Sequence, residues 1–100
     1  MHTSLQKQQF MNLLTNKVAL VTGGSRGIGA SIVEHFAAAG AHVAFTYHSS
    51  REKAEALAAD VSQRHGVKVQ AWQSDAADYA AAETLINDVL ATFGQLDILV

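Results

Sequence analysis

The sequence predicts an α/β fold, a doubly wound parallel sheet with helices on both faces. Four short apolar runs alternate with three helical runs, and the apolar runs begin at regular intervals, at Val18, Val43, Val67 and Leu96. Each helical run ends at a glycine, the residue that most easily forms a left-handed C-terminal cap. A glycine-rich turn joins the first apolar run to the first helical run. This βαβαβαβ pattern predicts the strand order 3-2-1-4.

The composition excludes several functional classes. The chain has 100 residues, of which 49% are hydrophobic and 16% charged, a globular rather than a disordered composition. Its formal net charge of −2 argues against a polybasic surface for nucleic acid or membrane. No apolar run approaches the ~18 residues of a membrane span. The absence of cysteine excludes disulfides, cysteine-ligated zinc and thiol catalysis, and it fits a reducing compartment such as the cytoplasm.

The first half of the chain gives two strands and a helix. Residues 1–16 show no sustained period and are expected to form a tail, so that the domain covers residues 17–100. Residues 17–22 are a largely apolar run, which is typical of a strand buried on both faces. In the helix that follows, apolar residues recur at helical spacing until Gly40: Ile28, Ile32, Val33 and Phe36. Residues 41–46 then predict a second buried strand.

The second half continues the alternation. Ser49 and Glu52 match a capping box for the second helix, whose buried face is predicted to be Ala54, Leu57, Ala58 and Val61. Residues 67–72 alternate apolar and polar side chains, which indicates an edge strand. The third helix carries an apolar face formed by Ile86, Val89, Leu90 and Phe93. Residues 96–100 predict a fourth strand, and because this apolar strand would also lie at an edge, we expect the chain to be the first part of a larger domain.

The turn between the first strand and the first helix indicates a phosphate-binding chemistry. Residues 22–29 read TGGSRGIG. Glycines let the backbone turn sharply and let a phosphate approach the main chain, and the helix points its free N–H groups at that spot. A dinucleotide site requires such glycines after a strand and before a helix. A tight turn without a ligand is the plainest alternative, although one glycine would suffice for it.

Two other motifs overlap the same residues. Gly23, Ser25 and Gly27 fit the nucleophile elbow of a serine hydrolase, with Ser25 as the nucleophile. That elbow normally follows several strands, and its Asp and His would have to lie elsewhere in the protein. The glycines are also similar to a P-loop, yet Ala30 stands where a phosphate-binding lysine is required. We therefore adopt the dinucleotide site and keep the hydrolase as an alternative.

The spacing Gly-x-x-x-Gly-x-Gly, from Gly23 to Gly29, resembles the cofactor motif of the short-chain dehydrogenases/reductases, in particular the branch of 3-oxoacyl-[acyl-carrier-protein] reductases. Asp75-Ala76 is similar to this family's Asp-Val/Ala pair, which contacts the adenine, and residues 93–100 are similar to the approach to its Asn-Asn-Ala-Gly motif. The resemblance covers residues 17–100. It implies a Rossmann-type sheet, hydride transfer to or from a carbonyl or secondary alcohol such as a 3-oxoacyl thioester, and a homo-oligomer, either a tetramer or a dimer.

The stretch after the second strand indicates which nicotinamide cofactor is bound. An NAD-preferring site needs a carboxylate there for the ribose hydroxyls, but the stretch contains no acid and Tyr47 occupies that place. Arg26 can form paired charged hydrogen bonds to a 2′-phosphate, and the resemblance implies that a basic residue here goes with NADP(H). Ser25 and Ser49 add hydrogen-bonding hydroxyls. The sequence therefore predicts NADP(H) rather than NAD(H).

The predicted site holds a cofactor and no catalytic residue. The cofactor-binding residues are expected to be Gly23, Ser25, Arg26, Gly27, Ile28, Gly29, Tyr47, Ser49, Asp75 and Ala76. The resemblance implies a catalytic Tyr-x-x-x-Lys pair, but Tyr79 is followed four residues later by Glu83, so the catalytic residues are expected beyond residue 100. The histidines show no metal-ligand spacing. The sequence thus predicts an NADP(H)-dependent oxidoreductase, with a non-catalytic nucleotide-binding or sensor protein of the same fold as the alternative.

Overall fold

Strands and helices alternate along the chain. The structure is a computed structural model that describes residues 13–25, 27–74 and 79–100. Its elements are β1 (Val18–Val21), α1 (Gly27–Ala38), β2 (His42–Tyr47), α2 (Arg51–His65), β3 (Val69–Gln73), α3 (Tyr79–Phe93) and β4 (Ile98–Leu99). This order confirms the predicted βαβαβαβ pattern. Within the described ranges, no helix is both long and apolar enough to cross a membrane.

The four strands form one parallel sheet in the order β3-β2-β1-β4, as predicted. β1 pairs with β2 from Val18 opposite His42, and with β4 from Ala19 opposite Ile98. The chain therefore winds outward from β1 through β2 to β3 and then returns to the other side of β1. The winding direction reverses between β1 and β4, and open sheets of this kind bind ligands at such a switch point, beyond the carboxyl ends of the strands.

The sheet has a hydrophobic cluster on each face. β1 is buried along its whole length, which explains why its sequence is continuously apolar. Because alternate strand residues point to opposite faces, Val21 and Phe45 pack with residues of α1 and α2, whereas Leu20 and Ala44 pack with residues of α3. Each large side chain that is fully buried in this way contributes about 1.5–3 kcal/mol to stability.

Both outer strands have the character that the sequence predicts. In β3, Gln70 and Gln73 are exposed and none of the five residues is fully buried, as expected of a strand at the edge of a sheet. β4 lies at the opposite edge, where the side chains of Leu99 and Val100 are exposed. The sheet thus has one polar edge and one apolar edge.

Two local predictions are wrong, the second of them only in part. The second helix begins at Arg51 with Ser50 at its N-cap and no side-chain capping hydrogen bond, so Ser49 and Glu52 form no capping box. The predicted face of the third helix is correct at Val89, which is buried, and at Phe93, which packs in the same cluster. It is wrong at Ile86 and Leu90, which are exposed, and it omits the buried Leu85. Residues four apart share a helix face, so α3 contacts the sheet along the row of residues 85, 89 and 93. The predicted buried face of α2, in contrast, is confirmed by its packing.

Polar contacts close the amino end of the sheet. Asp97 Oδ2 accepts hydrogen bonds from the Val18 N–H at 2.9 Å and from Gln95 Nε2 at 2.6 Å. The bond from Val18, followed by that from Gln95, lowers the pKa of Asp97 below its ordinary value.

The N–H of Leu14 donates to Ala39 O at 2.8 Å, so the end of the predicted tail contacts the domain. The boundary at residue 16 stays a prediction, because residues 1–12 lie outside the described ranges.

A charged cluster joins α1 to α2. Glu34 accepts hydrogen bonds from Arg64 Nη2 at 2.6 Å and from His65 Nε2 at 2.9 Å, and Arg64 also pairs with Asp60 on its own helix. The hydrogen bonds from Arg64 and then from His65 lower the pKa of Glu34 from its ordinary 4.5 to about 2. Ionised Glu34 therefore stabilises the contact between the two helices.

Replacing Glu34 with glutamine should lower the free energy of unfolding by about 1 kcal/mol at neutral pH, because the pair is partly exposed and screened by solvent. The pKa of Glu34 is lower in the folded chain, so its contribution is complete above about pH 4.5 and is lost as the pH falls toward 2. Urea unfolding of both chains between pH 2 and 7 measures the difference. The control is Glu55→Gln, which removes an exposed pair with Arg51 and should have little effect. If the free energy of unfolding of Glu34→Gln were lower than that of the unsubstituted chain by the same amount at pH 2 as at pH 7, an ionic role would be contradicted.

Candidate cofactor-binding site

The turn between β1 and α1 lies at the carboxyl end of β1. Gly23 has φ 71° and Gly27 has φ 62°, a left-handed conformation that glycine adopts without steric cost. Apart from the adjacent residues, no atom of the described part of the chain lies within 4 Å of the position that a Cβ would take at either residue. The turn therefore exposes main chain on an open side, where a ligand can approach closely.

Gly24 and Gly29 are glycines for a different reason. A Cβ at Gly24 would lie 2.7 Å from Phe45 Cβ and 2.9 Å from Val33 Cγ2. A Cβ at Gly29 would overlap the carbonyl oxygen of Gly23 and lie 2.8 Å from its carbonyl carbon. Close contact of the turn with β2 and with α1 thus requires both glycines, and it fixes the amino end of α1 beside the turn.

Hydrogen bonds tie the turn to the strands on both sides. On the β2 side, the Gly23 N–H donates to Thr46 Oγ1 at 2.9 Å and the Gly24 N–H donates to Thr46 O at 3.0 Å. On the β4 side, the N–H and the hydroxyl of Thr22 both donate to Val100 O, at 3.1 and 3.0 Å. The turn is therefore held across the switch point of the sheet, and its backbone position depends on both neighbouring strands.

The first turn of α1 offers the elements of an anion site. The N–H groups at the start of a helix have no acceptor within the helix, and the helix dipole places partial positive charge there. Gly27, Ile28 and Gly29 occupy this start, and no acidic residue lies in the first turn. The electrostatics therefore favour a negatively charged group beside the open side of the turn.

A cavity of about 140 Å³ opens beside the turn at the carboxyl end of β2. Its walls are Gly23, Ser25, Tyr47, His48, Ser49 and Ser50. It brings together four of the predicted cofactor residues, Gly23, Ser25, Tyr47 and Ser49. Among the described residues that line it, none carries a carboxylate. The Tyr47 side chain is buried in the core, so the hydroxyls of the serines and the imidazole of His48 supply the accessible polar groups.

Ile28 lies apart from this group. Its side chain is 81% exposed and lines a second, apolar cavity of about 360 Å³ together with Ile32, Phe36 and Val100. The polar cavity thus lies at the end of β2, whereas the apolar one lies between α1 and Val100. Three further predicted site residues, Arg26, Asp75 and Ala76, lie outside the described residues, and the roles of all ten stay predictions.

Two groups near the site are absent from the predicted set. Arg51 and Lys53 line a cavity of about 400 Å³ that shares Ser49 and Ser50 with the smaller one. The Nε of Arg51 donates to Glu55 at 3.1 Å, and this bond raises the pKa of Arg51. Thr46 is the second omission, and the only signal for it in the sequence is a hydroxyl in an otherwise apolar strand.

The geometry gives little support to a hydrolase. Ser25 and His48 line the same cavity, but in the described part of the chain no hydrogen bond joins the Ser25 hydroxyl to a histidine. A nucleophilic serine requires a base within hydrogen-bond reach and a third group that orients the base. Neither is present around Ser25 in the described ranges.

Comparison with known proteins relates the chain to a family of oxidoreductases. Residues 17–100 match the model of the short chain dehydrogenase family. The chain is 40% identical over 89 residues to the NADP-dependent mannitol dehydrogenase of Alternaria alternata, covering 87% of this chain and 34% of that protein. It is 45% identical over 84 residues to the 3-oxoacyl-[acyl-carrier-protein] reductase FabG of Staphylococcus aureus, covering 84% of this chain and 34% of the relative.

The fold agrees with these relatives. The crystal structure of a short chain dehydrogenase from Burkholderia cenocepacia J2315, in complex with NADP, superposes with a TM-score of 0.82 and 49% identity. The match covers 86% of this chain and 35% of that one, so the chain spans about a third of the length of the proteins that it matches. On the strand order, the glycine turn and the match over residues 17–100, the chain belongs to the short chain dehydrogenase family.

Proposed function

We propose that the chain binds NADP(H) across the β1–α1 turn and forms the cofactor-binding part of an oxidoreductase. The observation that carries this proposal is the open glycine turn at the switch point, beside a helix start without acidic residues. The complete reaction would transfer hydride between the nicotinamide and a carbonyl or secondary alcohol. The Alternaria relative is named NADP-dependent and the Burkholderia structure contains NADP, which supports the same cofactor here.

The pyrophosphate is proposed to lie against the turn and the start of α1. Gly23 and Gly27 leave this side open, and main-chain N–H groups of the first helical turn would donate to the phosphate oxygens. The N–H groups of Gly23 and Gly24 are already bonded to Thr46, so the phosphate contacts are assigned to α1. Gly29 keeps the helix start close enough to the turn for this arrangement.

The ribose end of the cofactor is proposed to occupy the cavity beside β2. This cavity lacks a carboxylate among its described lining residues, so nothing there would repel a 2′-phosphate. Ser25 and Ser49 would donate hydrogen bonds to the phosphate, and Arg26 would pair with it through its guanidinium. Asp75 and Ala76 are proposed to contact the adenine, following the family resemblance.

The bound cofactor would supply the hydride, and this chain's residues would hold and orient it. The 100 residues contain no Tyr-x-x-x-Lys pair, so the proton transfer that accompanies hydride transfer would need residues other than these. The alternative is a nucleotide-binding or sensor protein of the same fold without catalysis. The two differ in whether the complete protein oxidises NADPH in the presence of a carbonyl substrate.

The proposal extends to substrate, assembly and location. The name of the Staphylococcus relative supports a 3-oxoacyl thioester as substrate. The exposed Ile86 and Leu90 on α3 are consistent with a homo-oligomer, a tetramer or a dimer. The absence of cysteine supports a cytoplasmic location. The family match begins at residue 17, which supports a tail over residues 1–16 and a domain over residues 17–100.

Titration with NADPH and NADH tests the proposed cofactor. Trp72 is the single tryptophan and lies on β3, opposite Thr46 of β2, so its emission can report binding through energy transfer to the reduced nicotinamide. We expect NADPH to bind at least about 10-fold more tightly than NADH, the effect of one charged hydrogen bond to phosphate. Equal affinities would contradict recognition of the 2′-phosphate, and no binding by the folded chain would contradict the proposed function.

A further inference from the structure

We propose that Thr46 is a positioning residue for the cofactor: it holds the glycine turn at the separation from the end of β2 that the dinucleotide needs. This inference rests on the proposed function. It concerns a residue that touches neither the phosphate nor the ribose in that arrangement and that acts through Gly23 and Gly24.

Thr46 is the buried polar residue of the described core. Its relative exposure is 6%, and it lies in β2 directly after the fully buried Ala44 and Phe45. Burying a hydroxyl is unfavourable unless it is hydrogen-bonded, and valine has the same shape with an equal preference for strands. The packing of the core alone would therefore be served by valine, and the hydroxyl requires another explanation.

Both oxygens of Thr46 act on the turn. Its Oγ1 accepts from the Gly23 N–H at 2.9 Å, and its carbonyl oxygen accepts from the Gly24 N–H at 3.0 Å. The next residue along the chain, Tyr47, lines the polar cavity, and so do Gly23 and Ser25 of the turn. Thr46 thus joins the two segments of chain, the turn and the end of β2, that line the cavity proposed for the ribose end of the cofactor.

The same two hydrogen bonds also determine which main-chain amides remain free to bind the phosphate. An N–H donates one strong hydrogen bond, so the amides of Gly23 and Gly24 are committed to Thr46. Loss of the Oγ1 acceptor would release the Gly23 N–H and let the turn move. A valine would also place a methyl group 2.9 Å from the Gly23 nitrogen, closer than the ~3.5 Å of an ordinary nonbonded contact. The turn would have to move away from β2.

The test compares Thr46→Val with Thr46→Ser in the 100-residue chain. Isothermal titration calorimetry gives the Kd for NADPH and NADH, and hydrogen exchange by NMR gives the protection of the Gly23 amide. For Thr46→Val we expect both cofactors to bind about 10-fold more weakly, with faster exchange at Gly23. Thr46→Ser retains the hydroxyl and should stay within about twofold of the unsubstituted chain in both measurements.

A stability control separates positioning from general loosening. Val61→Ala removes a buried side chain from α2, away from the turn, and should destabilise the chain without changing either Kd. Equal cofactor binding by Thr46→Val and the unsubstituted chain would overturn the inference. It would also be overturned if Thr46→Ser lost as much affinity as Thr46→Val, or if Val61→Ala weakened binding as much. Failure of the unsubstituted chain to bind either cofactor would instead contradict the proposed function, while exchange at Gly23 would still report whether Thr46 holds the turn.

Discussion

Replacing Gly27 with alanine should weaken NADPH binding about 100-fold while the chain stays folded. The added methyl group would keep the phosphate away from the start of α1, and several charge-assisted hydrogen bonds would be lost. The φ of Gly27 is 62°, and apart from the adjacent residues no atom of the described ranges lies within 4 Å of the Cβ position. The new methyl group would therefore meet the bound pyrophosphate rather than the packed parts of the turn and helix that the structure describes. The left-handed conformation costs alanine about 1–2 kcal/mol, which thermal unfolding would detect. Calorimetric titration with NADPH measures the loss of affinity.

Gly66→Ala is the matched control for this substitution. Gly66 has φ 68° and caps the end of α2, and among the described residues other than its neighbours no atom lies within 4 Å of its Cβ position. It carries the same backbone strain away from the turn, so it should lower stability equally and leave the Kd for NADPH unchanged. If Gly66→Ala and Gly27→Ala weaken binding to the same extent, steric exclusion of the phosphate is not the cause. Gly29 is a poorer probe, because a Cβ there overlaps the Gly23 carbonyl and would disturb the fold itself.

Replacing Arg26 with alanine should weaken NADPH binding by about 1.5–3 kcal/mol, or about 10- to 150-fold, and leave NADH binding unchanged. The physical reason is the loss of a charged hydrogen bond to the 2′-phosphate, a group that NADH lacks. The measurement is the ratio of the two dissociation constants in the variant and in the unsubstituted chain. We expect the ratio to fall close to one in the variant.

Arg51→Ala is the control for Arg26. Arg51 lines the neighbouring cavity, and its Nε donates to Glu55. If the 2′-phosphate is recognised by Arg26, removing Arg51 should change the ratio of dissociation constants by less than about twofold, as expected for an exposed charge. A large loss of NADPH affinity in Arg51→Ala, with none in Arg26→Ala, would show that Arg51 rather than Arg26 contacts the 2′-phosphate. Equal weakening of NADPH and NADH by Arg26→Ala would exclude a phosphate-specific role.

The sheet could be predicted from the sequence because its signals are local. The unbroken apolar run of β1 reflects burial on two faces, and the alternating sequence around Gln70 is typical of an edge. Both agree with the strand order that the alternation of strands and helices predicts for a doubly wound sheet. The glycine turn was equally readable, since positive φ at Gly23 and Gly27 restricts these positions to glycine. In each case, a physical constraint that acts within a few residues of the chain restricts which residue types can occur there.

The remaining features depend on contacts between distant parts of the chain. The buried row of α3 is set by how the helix rests on the sheet, so Leu85 is buried and Ile86 is exposed although both are apolar. The hydrogen bond between Glu34 and His65 joins two helices, and the hydrophobic pattern of neither helix indicates it. Thr46 was missed for the same reason, because its hydroxyl bonds to Gly23, in a turn that precedes it by 23 positions.

Amide chemical shifts of the 15N-labelled chain, recorded with increasing NADPH, test whether the cofactor binds across the β1–α1 turn. If the cofactor binds across the turn, the largest changes should fall on residues 23–25, on residues 27–29 at the start of α1, and on residues 47–50 beside the polar cavity. NADH should change the first two groups and affect residues 47–50 less, because it lacks the 2′-phosphate. Chemical-shift changes confined to other elements, such as α3 or the exposed face of β3, would contradict binding of the cofactor across the turn.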